Sequence, residues 1–303
     1  MAAYQRGIET AAPPQAARMA PGSLDALAAS FYQSSAFLAL SATTARIYRR
    51  LIEGLRERYG PRPVRMLEDR HVAAIVAEKA ATPHAANHRL RMFKHLMAHA
   101  MDLGWIRRDP TAGVRRVTPR RSNGHPTWSE EDIAAFEACF PSGTRERLAL
   151  ALLLYTGQRR GDVVRMSRAH VRDARVNGAT VRVLEVVQQK TTKPLLLPIH
   201  PRLAAELDQA PRDLLPFLRT AQGRGFTPGG FYNAFREWSD QAGIPAGRSP
   251  HGLRKAAGVR LAEAGASAHQ IMAVLGVTLR TAVIYTQAAD QARMAVSGMA
   301  RIG

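Results

Sequence analysis

Apolar residues recur at helical spacing along most of the chain, and two breaks in that rhythm divide it. Leu24, Leu27 and Phe31, then Phe37 and Leu38, predict a first helix or pair of helices. Ile47, Leu51, Leu55 and Tyr59 predict the next, capped by Thr43 or Thr44 and stopped at Gly60-Pro61. Asp69 opens a short helix carried by Val72, Ile75 and Val76. Thr82-Pro83 supplies a cap and a first-turn proline for a long helix bearing Leu90, Phe93, Leu96, Met97 and Met101. Together these make a small all-α bundle over residues 24–112, preceded by a loose Ala-, Pro- and Gln-rich arm over 1–23. The first break, residues 113–126, is basic and turn-rich and reads as a linker. Ser129 then caps a helix whose first turn holds Glu130, Glu131 and Asp132. The segment 144–155 is apolar on most sides, as in a buried helix. The second break is β-like: Val181–Val187 and Leu195–Ile199 alternate as strands around polar 188–194, predicting a hairpin. Helical spacing resumes at about Thr227 and continues almost to the end. The expected fold is mainly α with a small β-hairpin or sheet, a helical unit over 24–112 being followed by an α+β unit over 127–303.

Charge changes this picture. Lys and Arg number 43 against 24 Asp and Glu, a formal net charge of +19, which predicts a polyanionic partner. Only five of the basic residues are lysines; codon bias accounts for arginine replacing lysine but not for the scarcity of acids. Arg46, Arg49, Arg50, Arg56, Arg58, Arg89 and Arg91 lie on polar helix faces, equally a solvated basic surface and a grip for a phosphate backbone. Arg115, Arg116, Arg120 and Arg121 would place the linker along such a backbone. Cys139, the single cysteine, follows Phe136 on an amphipathic stretch and is expected in the core; no disulfide can form within the chain, as suits a reducing cytoplasm. The longest apolar run, Leu148–Tyr155, is too short to cross a bilayer, and residues 1–20 lack the basic start and apolar centre of a secretory signal.

The candidate chemistry lies in scattered short segments. In Thr156-Gly157-Gln158-Arg159, the glycine permits a turn after a buried helix and sets Arg159 beside the core; taken alone, Arg159 is a structural partner for Asp162. Lys190 falls at the hairpin tip in Gln189-Lys190-Thr191, where a lysine is ordinarily just solvated. His251 and Arg254 are three apart and share a helix face. Tyr285, in Val283-Ile284-Tyr285-Thr286, would by itself be a core residue.

As an ordered set, Arg159, Lys190, His251-Gly252-Leu253-Arg254-Lys255 and Ile284-Tyr285-Thr286 resemble the catalytic domain of the tyrosine recombinase (phage integrase) family, over about Trp128 to Ala292. The helical unit before it resembles that family's core-binding (SAM-like) domain. The resemblance implies that Tyr285 attacks a scissile phosphate to give a 3′-phosphotyrosine, so that the bond energy is stored and no ATP is needed. Arg159 and Arg254 would clamp the nonbridging oxygens, Lys190 would protonate the leaving 5′-oxygen, His251 would assist proton transfer at the tyrosine, and Asp162 would support them. It implies double-stranded DNA as partner, a monomer in solution forming a homotetramer on two DNA sites, an accessory DNA-bending protein in some systems, and a cytoplasmic, nucleoid-associated location. No cofactor or metal is implied, and the sequence has no clustered carboxylates or Cys/His spacing to hold a metal.

One position departs from the family pattern. Leu275-Gly276-Val277 stands where Leu-Gly-His, or Trp in place of His, is usual, and the gap to Tyr285 is one residue short. Val277 donates no hydrogen bond; losing one such donor costs on the order of 10²–10³ in rate, unless Thr278 supplies a hydroxyl. The expectation is an attenuated strand transferase, with a catalytically dead DNA-binding relative and a type IB topoisomerase as alternatives. A helix-turn-helix regulator built on Leu261–Leu275 would leave Arg159, Lys190 and Tyr285 without a role. The tail, with Met294, Val296 and Met299 at helical spacing, would pack on its own domain or, as the resemblance implies, on a neighbouring protomer.

Overall fold

A computed structural model describes residues 19–119 and 124–302, without the side chains of 288–290, 292–294 and 297. Arm residues 1–18, Arg120, Arg121 and the Met294 side chain therefore lie outside the described residues. The chain divides into two compact units, Met1–Ser122 and Asn123–Gly303.

In the first unit, α1 (Leu24–Gln33), α2 (Ser35–Leu38), α3 (Ala42–Tyr59), α4 (Asp69–Ala77) and α5 (Pro83–Asp102) enclose a core of Leu27, Ile52, Leu55, Val72, Phe93, Leu96 and Met97. The cap of α3 is Ser41, whose Oγ accepts from the Thr44 amide, not Thr43 or Thr44 as expected. The buried stripe of α3 also differs: Ile52 and Leu55 are enclosed and Ile47 is exposed. At about 100° per residue, Ile47 sits roughly a third of a turn from the centre of that stripe, which runs through 52, 55 and 59. Met101, near the end of α5, is exposed as well. Beyond α5, Val114 and Val117 pack against this core, and buried Asn87 exchanges two hydrogen bonds with the Val117 backbone (2.7 and 2.9 Å). The start of the basic stretch thus rests on the first unit, leaving Arg115 and Arg116 exposed.

The second unit runs α6 (Glu130–Cys139), α7 (Arg145–Thr156), α8 (Arg160–Val163), β1 (Val171–Val176), β2 (Ala179–Val187), β3 (Pro194–Pro198), α9 (Pro201–Gln209), α10 (Pro228–Gln241), α11 (Pro250–Glu263), α12 (Ala268–Leu275) and α13 (Leu279–Met299). The expected hairpin is β2–β3, antiparallel with Leu184 opposite Leu197. The sheet has a third strand, β1, with Val171 opposite Leu184 and order β1-β2-β3. Polar, largely exposed Val-Arg-Asp-Ala-Arg-Val hides that strand from a hydrophobicity reading, although its turn, Asn177-Gly178 with φ of 50° and 83°, carries a strong hairpin signature. Helix α9 was likewise not foreseen; Pro201 starts it, and only Leu203 and Leu207, with buried Glu206, face inward.

Leu184, Val186, Leu195 and Leu197 turn one sheet face onto a core built around α7, which is buried along most of its length and packs against α9 and α11. Phe136, Phe231, Phe235 and Trp238 extend the same core with stacked, tilted and edge-on ring contacts. A smaller core of Ala257, Ala262, Ile271, Leu275 and Ala282 joins α11, α12 and α13. Cys139 is exposed rather than buried: it closes α6 beyond the inward-facing Ile133 and Phe136.

The chain before α6 crosses the first turn of α11 so closely that only glycine fits at 252. A Cβ there would lie 2.3 Å from the Pro126 carbonyl oxygen and 2.9 Å from the Trp128 ring. Because backbone cannot yield as a side-chain tip can, Gly252→Ala is expected to destabilise the second unit by about 1–3 kcal/mol, the usual range for overpacking. Urea unfolding followed by tryptophan fluorescence checks this, and an unchanged midpoint would contradict the packing described.

Candidate functional site

The site is assembled on the C-terminal end of α12. A helix end leaves carbonyls without intrahelical donors, and here three side chains from elsewhere in the unit supply them. Gln158 Nε2 donates to Val274 O at 2.9 Å. Gln188 Nε2 and an Arg254 terminal nitrogen both donate to Leu275 O, each at 2.9 Å. The two glutamines also bond each other at 2.7 Å, and the other Arg254 terminal nitrogen donates to Gly157 O at 2.7 Å. The end of α7, the end of β2, α11 and α12 thus meet in one buried polar knot; Gln158 and Gln188 are fully enclosed and Arg254 nearly so. Gly157 and Gly276 close the two helices with φ of 60° and 63°. A Cβ on Gly157 would sit 2.2 Å from Leu275 Cδ2, and one on Gly276 would sit 2.5 Å from Gln188.

Arg254 is held by carbonyls and not by a carboxylate, so its hydrogen bonds leave its charge uncancelled. Burial, and then the charge of Arg159, bring its guanidinium down to about 10, still protonated at neutral pH. Half-buried Arg159 precedes α8 and carries a terminal nitrogen that is buried and without a hydrogen-bond partner. The structural pairing of Arg159 with Asp162 is not formed among the described residues. Asp162 instead accepts from the Gln189 amide at 2.9 Å and from Arg165 at 3.4 Å. That bond fixes the turn after β2, and Thr191 Oγ1 donates to Gln188 Oε1 at 2.7 Å from its far side. Lys190 projects from this turn and is exposed, tied to the knot only through its neighbours.

Tyr285, on the second turn of α13, is half-buried with its ring over Gly258; a Cβ at 258 would come within 3.0 Å of the ring. Burial pushes the phenol up, and the Arg254 charge partly opposes that. His251 stands in the first turn of α11, where the helix's positive end disfavours a second cation and favours an anion. Its imidazole is brought down to about 4 by partial desolvation first, then by His125, Arg254, Lys255 and Arg159, so it is neutral at pH 7. The fold therefore brings the charges of Arg159, His251 and Tyr285 within reach of Arg254, while Lys190 stands on the exposed turn beside Gln188 and Gln189. Val277 is partly buried against the small core of α11–α13, and the Thr278 hydroxyl is engaged with Thr281 at 3.1 Å.

The arginines of the first unit divide into two groups. Arg46, Arg50 and Arg91 are exposed. Arg49 lies 4.1 Å over the Tyr32 ring, and Arg89 is bound to Ile75 O and Glu78, both at 2.8 Å, which commits it to the fold. Arg56 pairs with Asp25 and Arg58 with Glu78. No periodic pattern in the sequence marks Gln158 or Gln188, although Gln158 lies within the Arg159 segment and Gln188 beside the Lys190 segment.

The Phage integrase family matches residues 129–292. Tyrosine recombinase XerD of Ralstonia nicotianae is 28% identical over 223 residues, covering 68% of this chain and 70% of the relative. A crystal structure of a lambda integrase dimer bound to a COC′ core site superposes with a TM-score of 0.74 at 18% identity, covering 87% of this chain and 95% of the other. A lambda integrase tetramer bound to a Holliday junction superposes with a TM-score of 0.71 at 20% identity, covering 84% and 74%. At these identities the solved structures establish likeness of fold.

Gln188→Leu would leave the Gln158 amide oxygen and the Thr191 hydroxyl short of a partner inside the knot; the expected loss is about 1–3 kcal/mol of stability, the cost of an unsatisfied buried polar group. Chemical unfolding of the variant reads this directly. A second expectation concerns charge: in DNA-free protein, the His251 ring should titrate well below an ordinary imidazole, and a bound polyanion should raise its midpoint. NMR titration follows both, and an ordinary midpoint near 6.5 would contradict the electrostatics described.

Proposed function

This chain belongs to the phage integrase family of tyrosine recombinases, and from that premise we propose that it is a site-specific DNA strand transferase working through a 3′-phosphotyrosine intermediate. One observation carries the reading: among the described residues, two guanidiniums, Arg254 nearly buried and Arg159 half-buried, stand beside a tyrosine with no carboxylate hydrogen-bonded to either, and Arg159 has a buried nitrogen without a partner. Such an arrangement is costly unless an anion completes it. A phosphodiester, with two nonbridging oxygens and a charge that grows toward the transition state, is an anion that two arginines can clamp.

In this reading, the Tyr285 oxygen attacks phosphorus, the bond from phosphorus to the 5′-oxygen breaks, and the strand is held on the protein. The phenol carries its proton at neutral pH, the more firmly for being buried, so that proton needs an acceptor, and neutral His251 can receive it. The departing 5′-oxygen needs a proton, which Lys190 brings from its turn. Reversal with a new 5′-hydroxyl rejoins the strand and restores each proton, so no external energy enters. Arg159 and Arg254 act throughout by charge, while Asp162 acts by positioning the turn that carries Lys190.

Double-stranded DNA is the proposed partner. The net charge of +19 and the exposed Arg46, Arg50, Arg91, Arg115 and Arg116 supply the backbone attraction. A tetramer on two DNA sites is proposed on the strength of the lambda integrase assembly and of Val296 and Met299, exposed on one side of α13. The division of the chain into a DNA-gripping helical unit and a catalytic unit follows the same reading. Val277 favours a second one, a DNA-binding relative with little chemistry, since an apolar, partly buried side chain occupies a place where a donor would assist the phosphate.

A nicked suicide substrate separates the two. The protein should become covalently attached to DNA through Tyr285, and Tyr285→Phe should bind the same DNA equally well without attachment; no attachment by the unaltered chain would overturn the catalytic reading. Val277→His should raise the single-turnover cleavage rate by about tenfold or more, a part of the 10²–10³ that one such donor is worth.

A further inference from the structure

A histidine that no motif marks lies against the one the mechanism uses. The segment 124–128 crosses the first turn of α11 as a strap, fixed by four contacts. Lys255 Nζ donates to the His125 carbonyl at 2.7 Å. His125 Nδ1 and Ser249 Oγ are 3.3 Å apart. Trp128 Nε1 donates to Ser249 O at 3.1 Å. The Pro126 carbonyl presses on Gly252 so closely that no Cβ fits. With its backbone and ring both held, His125 places its imidazole 4.9 Å, centroid to centroid, from that of His251, with the planes inclined at 60°.

His251 stands in the first turn of a helix and more than a third of it is exposed, so its own helix encloses only part of the ring. The strap supplies the missing wall. We propose that His125 is a positioning residue for strand cleavage: its ring, held by the strap, walls one side of the His251 imidazole and fixes the orientation in which that imidazole takes part in proton transfer. The groups facing His251 are His125 from the strap, Arg254 and Lys255 from its own helix, and Arg159 from the segment after α7; all four oppose a proton on it. Of these, His125 alone packs ring against ring, and it does so without being needed to hold the phosphate. The inference rests on the strand-transfer reading given above, but its first measurement does not.

The test compares His125→Ala and His125→Phe in the full-length chain. Removing the ring uncovers one side of His251, so NMR titration of DNA-free His125→Ala should show the His251 midpoint rising by about one pH unit, within the range that burial and neighbouring charges produce. Single-turnover attachment to a nicked DNA should slow roughly tenfold, a fraction of the 10²–10⁴ that a well-placed proton-transfer group supplies. DNA affinity should be unchanged, and the lower edge of the pH–rate profile should move up with the His251 midpoint. His125→Phe restores the wall without the hydrogen bond to Ser249, and should recover most of the rate and of the low midpoint. An unchanged His251 midpoint in His125→Ala, or equal slowing by both variants, overturns the proposal. If the unaltered protein never attaches to DNA, the strand-transfer reading fails on its own, while the titration still decides whether His125 governs His251.

Discussion

The carbonyl end of α12 is the constraint on which the rest of the site depends. Val274 and Leu275 present oxygens that the helix cannot satisfy, and Gln158, Gln188 and Arg254 arrive from three other elements to do so. Each of those side chains is buried, so each would carry a large penalty if its partner moved. The knot therefore sets the relative positions of the α7 end, the β2 turn and α11 with little tolerance. Because Gly157 and Gly276 leave no room for a side chain at the two helix ends, the elements approach closely enough for these bonds to form.

That same knot explains the charge of the site. An arginine bound to carbonyls is oriented without being neutralised, whereas one bound to a carboxylate would have little left to offer an anion. Arg254 takes the first course, and the nearby carboxylate, Asp162, is turned to the Gln189 amide and Arg165. The result is a cluster of cations in which one buried Arg159 nitrogen lacks a partner, next to a tyrosine whose phenol is pushed up by burial. Partial desolvation first, and then repulsion by His125 and the neighbouring cations, brings the His251 imidazole down, so its charge state follows from placement as well as from residue type. Val277 sits just past the knot and packs, partly buried, against the small apolar core of α11–α13, so a valine serves the packing there.

Much of the helical architecture was legible in the chain, since α1, α4, α5 and α6 each bury one face, and α7 is apolar on nearly every side, as a buried helix is. The failures have physical causes. Strand β1 is a half-exposed edge rich in Arg and Asp, so its hydrophobic signal is weak and only its Asn-Gly turn could have revealed it. Ile47 and Cys139 were placed inside because each lies near an apolar position on a helix, yet the buried stripe is narrower than that spacing suggested. Arg89 looked like a surface residue and is instead consumed by Glu78 and a backbone carbonyl.

By itself the sequence determined which side chains were available: two arginines, a histidine, a lysine and a tyrosine in an order that belongs to one family, on a strongly basic chain. Local spacing sufficed for that, because helix faces and turns depend on near neighbours. Only the tertiary structure decided that Arg254 keeps its charge, that Asp162 serves the Lys190 turn, and that His125 lies against His251 from 126 positions away in the chain. Those outcomes turn on burial and on contacts between segments remote in sequence, and no periodicity along the chain encodes which buried donor will meet which unsatisfied carbonyl.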